Sequence, residues 1–278
     1  MGQGKVVETR IILGDSRDMS EILDNSVQLV VTSPPYYDLK TYKGAKTEEQ
    51  QLGTPVDFAG YVDNLNAVWK ECVRVLAPDG KIAINIMPIL LSGEENGFGR
   101  RSTKLMLTQI EQFMESTEEM FNFALFIWDK RKIVRFSSFG SYPFPPNIFA
   151  TMPYEWIIVF SKKGKRPSVD KEVKEASRLT TKEWQTWAVN SIWEMNPAKA
   201  KKEGHPAPFP EELPRRLIKL FSFVGDTVLD PFMGTGTTLQ AAYNLDRNSI
   251  GYEISPEYVE LAKTKVARAG SKLDIPNH

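Results

Sequence analysis

Hydrophobic residues along this chain follow two patterns: short, nearly continuous apolar runs, and longer stretches in which apolar residues recur with helical spacing. Because a strand that is buried on both faces is apolar throughout, the short runs predict strands at 10–13, 27–32, 81–87, 124–128, 156–160, 227–230 and 249–253. The helical spacing predicts helices near 61–76, 104–121, 170–178, 213–221, 237–244 and 256–268. Strands that alternate with helices are typical of a mostly parallel, doubly wound α/β sheet, which is the predicted fold class.

The residue counts are those of an ordinary folded chain. Its 278 residues, 25% of them charged and 41% hydrophobic, suffice for one large domain or two small ones. Cys72 is the only cysteine, so the sequence excludes an intrachain disulfide and a multi-cysteine metal site, and we predict a buried thiol within a helix. Residues 1–10 lack the apolar segment of a secretion signal, and no apolar run approaches the roughly 18 residues that span a bilayer. We therefore expect an intracellular protein without membrane contact.

Charge is unevenly distributed along the chain, although 35 Lys+Arg and 35 Asp+Glu give a net charge of zero. Such a balance alone argues against a nucleic-acid partner, because nucleic-acid-binding domains are usually basic. Residues 129–204, however, hold 15 basic and 8 acidic side chains, a net of +7, and the rest of the chain holds 20 and 27, a net of −7. The neutral sum therefore combines two opposed regions, and it is compatible with a local basic surface.

A glycine-containing turn, DPFMGTGTT at 230–238, separates a predicted strand from a predicted helix. Gly234 and Gly236 permit a tight turn, and Thr237 and Thr238 can cap the helix. The next strand ends in Glu253, where a carboxylate can accept hydrogen bonds from the hydroxyls of a ribose. In a doubly wound sheet this is the usual position of a nucleotide-containing ligand.

The residues around these glycines favour a cationic nucleoside ligand. No Gly-Lys-Ser/Thr follows, which excludes a Walker loop, and Leu239 occupies the place of the third glycine of a dinucleotide-binding loop. Asp230 would repel a pyrophosphate, whereas it suits the sulfonium and ammonium groups of S-adenosylmethionine. A plain structural turn is the alternative, but Asp230 and Glu253 together favour ligand binding.

A second turn, TSPPYY at 32–37, follows another predicted strand. Pro34 and Pro35 fix the backbone and have no N–H donors, so their carbonyl oxygens are held rigidly as acceptors. Ser33 adds a hydroxyl and Tyr36 adds an aromatic ring. Rigid acceptors beside a ring suit the exocyclic amino group of a nucleobase that has left the duplex. The alternative is a structural proline turn with a packed tyrosine.

Together, TSPPY at 32–36 and DPFMGTGTT at 230–238 resemble the S-adenosylmethionine-dependent amino DNA methyltransferases. The order of the motifs, with the catalytic turn first, resembles the beta group of that family. The segments 14–16, 127–130 and 205–211 are similar to further family motifs, so the resemblance covers most of the chain. It implies a Rossmann-like methyltransferase sheet, S-adenosylmethionine as the cofactor and double-stranded DNA as the substrate.

The resemblance also implies roles for individual residues. It implies a catalytic turn formed by Ser33, Pro34, Pro35 and Tyr36. It implies cofactor binding by Asp15, Thr32, Phe209, Pro210, Asp230, Pro231, Phe232, Gly234, Gly236, Thr237 and Glu253. Glu253 would bind the ribose and Asp15 would lie near the adenine, and no metal site is implied.

In that family the segment between the catalytic strands and the cofactor half carries target recognition. Here it corresponds to 161–204, between a catalytic half at 1–160 and a cofactor half at 205–278, and it lies in the basic region. Because this segment is short, we expect the loops at 38–54 and 88–103 to share DNA recognition. The predicted DNA contacts are Arg100, Arg101, Lys130, Arg131, Lys162, Lys163, Lys165 and Arg166.

Ser33 bears on the target base. In the family, Ser at this position is commonly associated with cytosine and Asp with adenine, so the resemblance implies site-specific methylation of the cytosine amino group after base flipping. The adenine amino group, an RNA substrate and a protein amide are the alternatives, as is a catalytically silent DNA-binding module that senses the cofactor. The resemblance further implies restriction-modification with a cognate endonuclease as partner, and it leaves monomer and dimer open.

Overall fold

The computed structural model describes residues 7–37, 58–91, 93–94, 96–130, 139–140, 144–145, 148–149, 152–198, 209–270 and 272–274. Its strands are β1 (Glu8–Leu13), β2 (Val27–Thr32), β3 (Leu76–Ile86), β4 (Ile89–Leu91), β5 (Ser102–Lys104), β6 (Met120–Asp129), β7 (Phe139–Gly140), β8 (Ile148–Phe149), β9 (Tyr154–Lys162), β10 (Ile192–Glu194), β11 (Thr227–Asp230), β12 (Asn248–Glu253) and β13 (Lys272–Asp274). Its helices are α1 (Phe58–Val75), α2 (Met106–Ser116), α3 (Lys171–Ala176), α4 (Thr181–Glu183), a π-helical turn (Trp184–Val189), α5 (Glu212–Phe221), α6 (Thr237–Tyr243) and α7 (Pro256–Arg268).

Nine of the described strands form one sheet in the order β10-β6-β9-β3-β2-β11-β12-β1-β13. Neighbouring strands are parallel except at β9, which runs antiparallel to both β3 and β6. β4 and β5 form a separate hairpin, and so do β7 and β8. The predicted fold class, a mostly parallel doubly wound α/β sheet, is confirmed.

Helices cover both faces of the sheet, and each face has its own apolar core. On one face α1 and α2 pack against β2 and β3, with Trp69 fully buried. On the other face α5, α6 and the π-helical turn pack against the same strands, with Trp193 almost fully buried. A third cluster joins α7 to β1. Burial of apolar surface between these layers is the main stabilising contribution to such a fold.

The predicted elements occur with modest shifts at their ends. β2, β11 and α7 have the predicted bounds, and α2 is shorter than predicted. β3 begins at Leu76, before the predicted strand at 81–87, and its first part is irregular: Asp79 has a φ of +61° and the pairing with β2 shifts in register. β10 and β13 were not predicted from the apolar pattern because each has only three residues.

Cys72 is fully buried in α1, as predicted, and burial raises the pKa of its thiol. Within the described ranges, no helix has both the length and the apolar character that crossing a membrane requires.

Candidate active site

The two predicted motifs meet at the carboxyl edge of the sheet, the edge at which its parallel strands end. β2 and β11 are adjacent and parallel, so the proline turn and the glycine loop leave the sheet side by side. The hydroxyl of Thr32 donates a hydrogen bond of 2.7 Å to Oδ1 of Asp230, although 198 positions separate them in the sequence. A single side-chain contact therefore joins the predicted catalytic turn to the predicted cofactor loop.

Asp230 is 1% exposed, and both of its carboxylate oxygens are used within the protein. Oδ2 accepts from the hydroxyl of Thr238 at 2.6 Å, and Oδ1 accepts from the backbone N–H of Phe232 at 3.1 Å as well as from Thr32. Burial raises the pKa of this carboxyl to about 6, while the three hydrogen bonds oppose the rise. The sequence assigned Asp230 to the attraction of a cationic ligand. Within the protein the carboxylate organises the loop, and its attraction of a cationic ligand stays a prediction.

The glycine loop depends on two left-handed glycines and on a close helix contact. Gly234 has a φ of +51° and Gly236 has a φ of +79°, conformations that glycine adopts at little cost. A Cβ atom at Gly236 would lie 3.0 Å from the Cβ of Ala262 in α7. The second glycine therefore allows both the turn and the approach of α6 to α7.

The prediction that Thr237 and Thr238 cap the helix was wrong. Gly236 is the N-cap residue of α6, and no side chain caps it. The Thr238 hydroxyl donates to Asp230 instead, and the Thr237 hydroxyl accepts from the ammonium of Lys265 at 3.0 Å. A neighbouring carboxylate and ammonium thus compete successfully for the hydroxyls that capping would have used.

Glu253 lies at the end of β12, next to the glycine loop. Its Oε2 accepts from the backbone N–H of Gly234 at 3.1 Å, and its Oε1 accepts from the backbone N–H of Ser255 at 2.8 Å. Burial raises the pKa of this carboxyl to about 7, and the nearby Asp230 charge acts in the same direction. The predicted ribose-binding acid is therefore held rigidly beside the predicted cofactor loop, and it ionises near neutral pH.

Asp15 follows β1, and a backbone contact places it near Glu253. The N–H of Gly14 donates to the backbone carbonyl of Glu253 at 3.0 Å. The Asp15 carboxylate is paired with Arg17, whose Nη2 lies 2.6 Å from Oδ2. Arg17 also donates to Asn64 in α1 at 2.8 Å. The ends of β1 and β12 therefore bring the two predicted cofactor acids to the same edge.

The proline turn is packed against α1. Ser33 and Pro35 are half-buried and Pro34 is buried. The hydroxyl of Tyr61 donates to the carbonyl of Pro35 at 2.8 Å, which occupies one of the predicted acceptors. The acceptors that the turn can offer to an amino group are therefore the Ser33 hydroxyl and the Pro34 carbonyl.

Tyr36 is only 7% exposed, and its hydroxyl lies 3.4 Å from Oε2 of Glu155. Glu155 also accepts from Nδ2 of Asn85 and from Nζ of Lys130, each at 2.5 Å. The sequence analysis missed Glu155 and Asn85. Each is a polar residue in an otherwise apolar strand, and that interruption is the signal that could have identified them.

The basic turn at 162–166 lies at the opposite edge of the sheet from Ser33. β9 runs antiparallel, so Lys162 at its end pairs with Met120, the first residue of β6. The Lys162 ammonium is buried and donates to the backbone carbonyls of Val73 and Leu76 at 2.7 and 2.9 Å. This placement separates the DNA contacts predicted in this turn from Ser33, and it gives Lys162 a structural role.

Arg166 is likewise engaged within the protein, because its guanidinium pairs with Asp226 at 2.5 and 2.9 Å. Lys163 and Lys165 are exposed at the same distant edge. The described cations at 162–166 therefore lie away from the catalytic turn.

Three other predicted DNA contacts lie nearer the candidate site. Arg100 and Arg101 are exposed in the β4–β5 hairpin, which follows the carboxyl end of β3. Lys130 follows β6 at the same edge but is bound to Glu155. Arg131 lies outside the described residues.

The remaining predicted cofactor residues are divided between the glycine loop and the segment that precedes α5. Pro231 is buried and Phe232 is half-buried, with its ring edge-on to Trp69 at 6.0 Å between centroids. Phe209 packs against the core under α5, and the Pro210 carbonyl accepts from the N–H of Leu213. These residues therefore pack against the protein core around the glycine loop and before α5.

Comparisons with known proteins agree with this geometry. The chain matches the sequence profile of a family described as DNA methylase over residues 27–264. It is 36% identical over 285 positions to the type II methyltransferase M.MjaI of Methanocaldococcus jannaschii, with 92% of this chain and 90% of that protein covered. A solved structure of a putative DNA modification methylase from Thermus thermophilus, complexed with S-adenosyl-L-methionine, superposes with a TM-score of 0.77 at 32% identity and covers 98% of this chain and 100% of that one. The cytosine-N4-specific PvuII DNA methyltransferase shares the fold at a TM-score of 0.62 and 21% identity, covering 97% of this chain and 95% of that one.

Proposed function

The chain belongs to the DNA methylase family that modifies adenine N6 or cytosine N4, and from that premise we propose that it methylates the exocyclic amino group of cytosine in duplex DNA. The observation that carries the proposal is the hydrogen bond between Thr32 and Asp230, because it joins the acceptor turn to the glycine loop. Ser33 at the first position of the turn favours cytosine over adenine. A cognate restriction endonuclease belongs to the same proposal.

S-adenosylmethionine is the methyl donor, and the described residues at the carboxyl edge fit it. Glu253 offers a carboxylate to the ribose hydroxyls, and the glycines at 234 and 236 let the backbone approach a ligand closely. Phe232 offers an apolar surface and Asp15 an acid at the neighbouring strand end. When bound, the cofactor supplies an electrophilic methyl group on a sulfonium.

The protein's own contribution to the reaction is orientation. The Ser33 hydroxyl and the Pro34 carbonyl accept the two amino hydrogens, which turns the nitrogen lone pair towards the adjacent glycine loop. No general base has to abstract a proton beforehand, since the amino nitrogen becomes acidic once it carries a methyl group. Cys72 is fully buried in α1 and is the only cysteine of the chain, so a cysteine nucleophile for methylation of a ring carbon is lacking.

Product analysis tests the proposal directly. The protein is incubated with methyl-labelled S-adenosylmethionine and unmethylated genomic duplex, and the DNA is digested to nucleosides for mass spectrometry. We expect N4-methylcytosine. N6-methyladenine would identify adenine as the target, and labelling of RNA in preference to DNA would identify an RNA enzyme. Cofactor binding with no methylated nucleoside in any nucleic acid would overturn the proposal.

Ser33→Ala serves as the matched control for this experiment. Because the variant removes one acceptor of the amino group and leaves the glycine loop unchanged, we expect methyl transfer to fall by about 10²-fold or more. Cofactor affinity, measured by calorimetry, should be unaffected. A Ser33→Ala variant with full activity would contradict the assigned role of the turn.

A further inference from the structure

The buried polar cluster around Glu155 lies beside the catalytic turn and away from the cofactor loop. In the sheet order, β3, β9 and β6 are on one side of β2, whereas β11 and β12 with the glycine loop are on the other. Glu155 at the start of β9 is 5% exposed and binds Tyr36, Asn85 and Lys130. The Lys130 cation compensates the buried carboxylate, which would otherwise be unfavourable.

Register places Asn85 next to Ser33. Thr32 pairs with Ile84 in the parallel β2–β3 ladder, so the residues that follow each of them are neighbours. Val31 and Ala83 belong to the same core cluster. Because side chains alternate along a strand, Asn85 is directed to that same face, and we infer the same direction for Ser33, the residue that follows the end of β2.

The Asn85 amide has a defined orientation and an unused acceptor. A carboxylate only accepts hydrogen bonds, so Nδ2 must face Glu155 and Oδ1 must point away from it. Asn85 is 1% exposed, and its Oδ1 has no hydrogen-bond partner among the described residues. A buried acceptor without a donor is unfavourable and uncommon, so it calls for a function.

The Ser33 hydroxyl needs a hydrogen-bond acceptor of this kind when it binds a nucleobase. When its hydroxyl oxygen accepts a hydrogen bond from a nucleobase amino group, the hydroxyl hydrogen has to be donated elsewhere. The Asn85 carbonyl oxygen, on the neighbouring strand and the same face, is an acceptor that can receive it.

We propose that Glu155 is a positioning residue for the target base: it orients the Asn85 amide, which fixes the Ser33 hydroxyl as an acceptor, and it holds the Tyr36 ring through its hydroxyl. The inference rests on the proposed function and extends it to the side of the turn where the base is received. It concerns amino-group orientation only, so it applies to cytosine and adenine alike.

The test compares Glu155→Gln with the wild type in steady-state methylation of duplex DNA. Glutamine keeps the shape of the side chain but removes the charge that fixes the Asn85 amide. We expect kcat to fall by about 10- to 100-fold, because misorientation of reacting groups costs that much. The KM for DNA and the Kd for S-adenosylmethionine should stay within about twofold, which is the pattern of an interaction used in the transition state.

Asp226→Asn is the matched control. Asp226 is 7% exposed and pairs with Arg166 at 2.5 Å, so it is also a buried carboxylate with a cationic partner, but it lies at the opposite edge of the sheet. Its variant should lower the thermal midpoint and leave kcat unchanged in the folded fraction. Equal effects of both variants on kcat would overturn the inference, and so would a loss of cofactor affinity in Glu155→Gln.

Tyr36→Phe keeps the test decisive if Glu155→Gln does not fold. It removes only the hydroxyl that contacts Glu155, and we expect kcat to fall by about 3- to 10-fold at unchanged cofactor affinity. Full activity of Tyr36→Phe would contradict the role of Glu155 at the ring. A wild-type protein without methyl transfer refutes the proposed function, whereas an active wild type with an equally active Glu155→Gln refutes this inference alone.

Discussion

At the scale of single residues, the half-buried carboxyl of Glu253 has the clearest consequence. Burial raises its pKa to about 7, and the ionised form offers more acceptors to ribose hydroxyls than the protonated form does. In the ligand-free protein this group is protonated at lower pH, so a proton competes with the cofactor. Cofactor binding is therefore expected to strengthen as the pH rises through neutrality.

Calorimetric titration with S-adenosylmethionine between pH 6 and pH 8 measures this effect. We expect the Kd to be roughly tenfold higher at pH 6 than at pH 8, as for one ionising group with a pKa near the middle of that range. Glu253→Gln should bind weakly and with a flat pH profile. A flat profile in the wild type would show that Glu253 does not carry the binding.

The sequence analysis identified those site residues that belong to a recognisable turn motif. Ser33 precedes two prolines and Asp230 precedes two glycines, so each stands in a recognisable turn at a strand end. Glu155 and Asn85 are isolated polar residues in apolar strands, and nothing local shows that they meet. Their contact depends on the pairing of β3 with β9, which only the tertiary fold determines.

At the scale of elements, the start of α6 depends on its glycine. Gly236→Ala would place a side chain at a φ of +79° and within 3.0 Å of Ala262 in α7. We expect the free energy of unfolding to fall by about 1–3 kcal/mol, from backbone strain together with overpacking. Because the same loop contacts Glu253, cofactor affinity should fall as well. Chemical denaturation and calorimetry measure the two effects.

Gly97→Ala separates the two causes. Gly97 has a similar φ of +70°, but nothing lies within 4 Å of a Cβ atom there. This variant should therefore show only the backbone strain, about 1 kcal/mol, without any change in cofactor binding. If both variants were equally destabilised, the contact with α7 would be unimportant.

The bounds of elements were predictable where the chain carries a stop signal. β2 ends before Ser33 and two prolines, and α7 begins after the capping residue Ser255, whose hydroxyl accepts from Tyr258. The direction of β9 was not predictable, because an apolar run that is buried on both faces has the same composition in either direction. That reversal is the reason why the basic turn after β9, which was predicted to contact DNA, lies at the edge opposite Ser33.

At the scale of the whole molecule, the two edges of the sheet differ in the cations that they expose. Arg100 and Arg101 are exposed in the hairpin that follows the carboxyl end of β3, whereas Lys163 and Lys165 are exposed at the far edge. Duplex DNA that delivers a base to Ser33 must contact the carboxyl edge. Only Arg100 and Arg101 are therefore expected to contact DNA phosphates.

Fluorescence anisotropy with duplex DNA at several salt concentrations tests this division. Replacing Arg100 and Arg101 by alanine should raise the Kd and reduce the slope of log Kd against log salt by about 1 to 2, because each lost phosphate contact accounts for about 0.9. Replacing Lys163 and Lys165 by alanine should change neither quantity. If the lysine substitutions weakened DNA binding and the arginine substitutions did not, the basic turn would be the DNA contact.

The reversal of β9 has a practical use. Its end places the exposed segment around Gly164 at the edge of the sheet opposite the carboxyl edge, where the proposed function places both substrates. A fluorophore, an affinity handle or a fused partner domain attached there would extend away from the DNA track. The Lys163–Lys165 turn is thus the natural point for tethering this enzyme to a surface while it works.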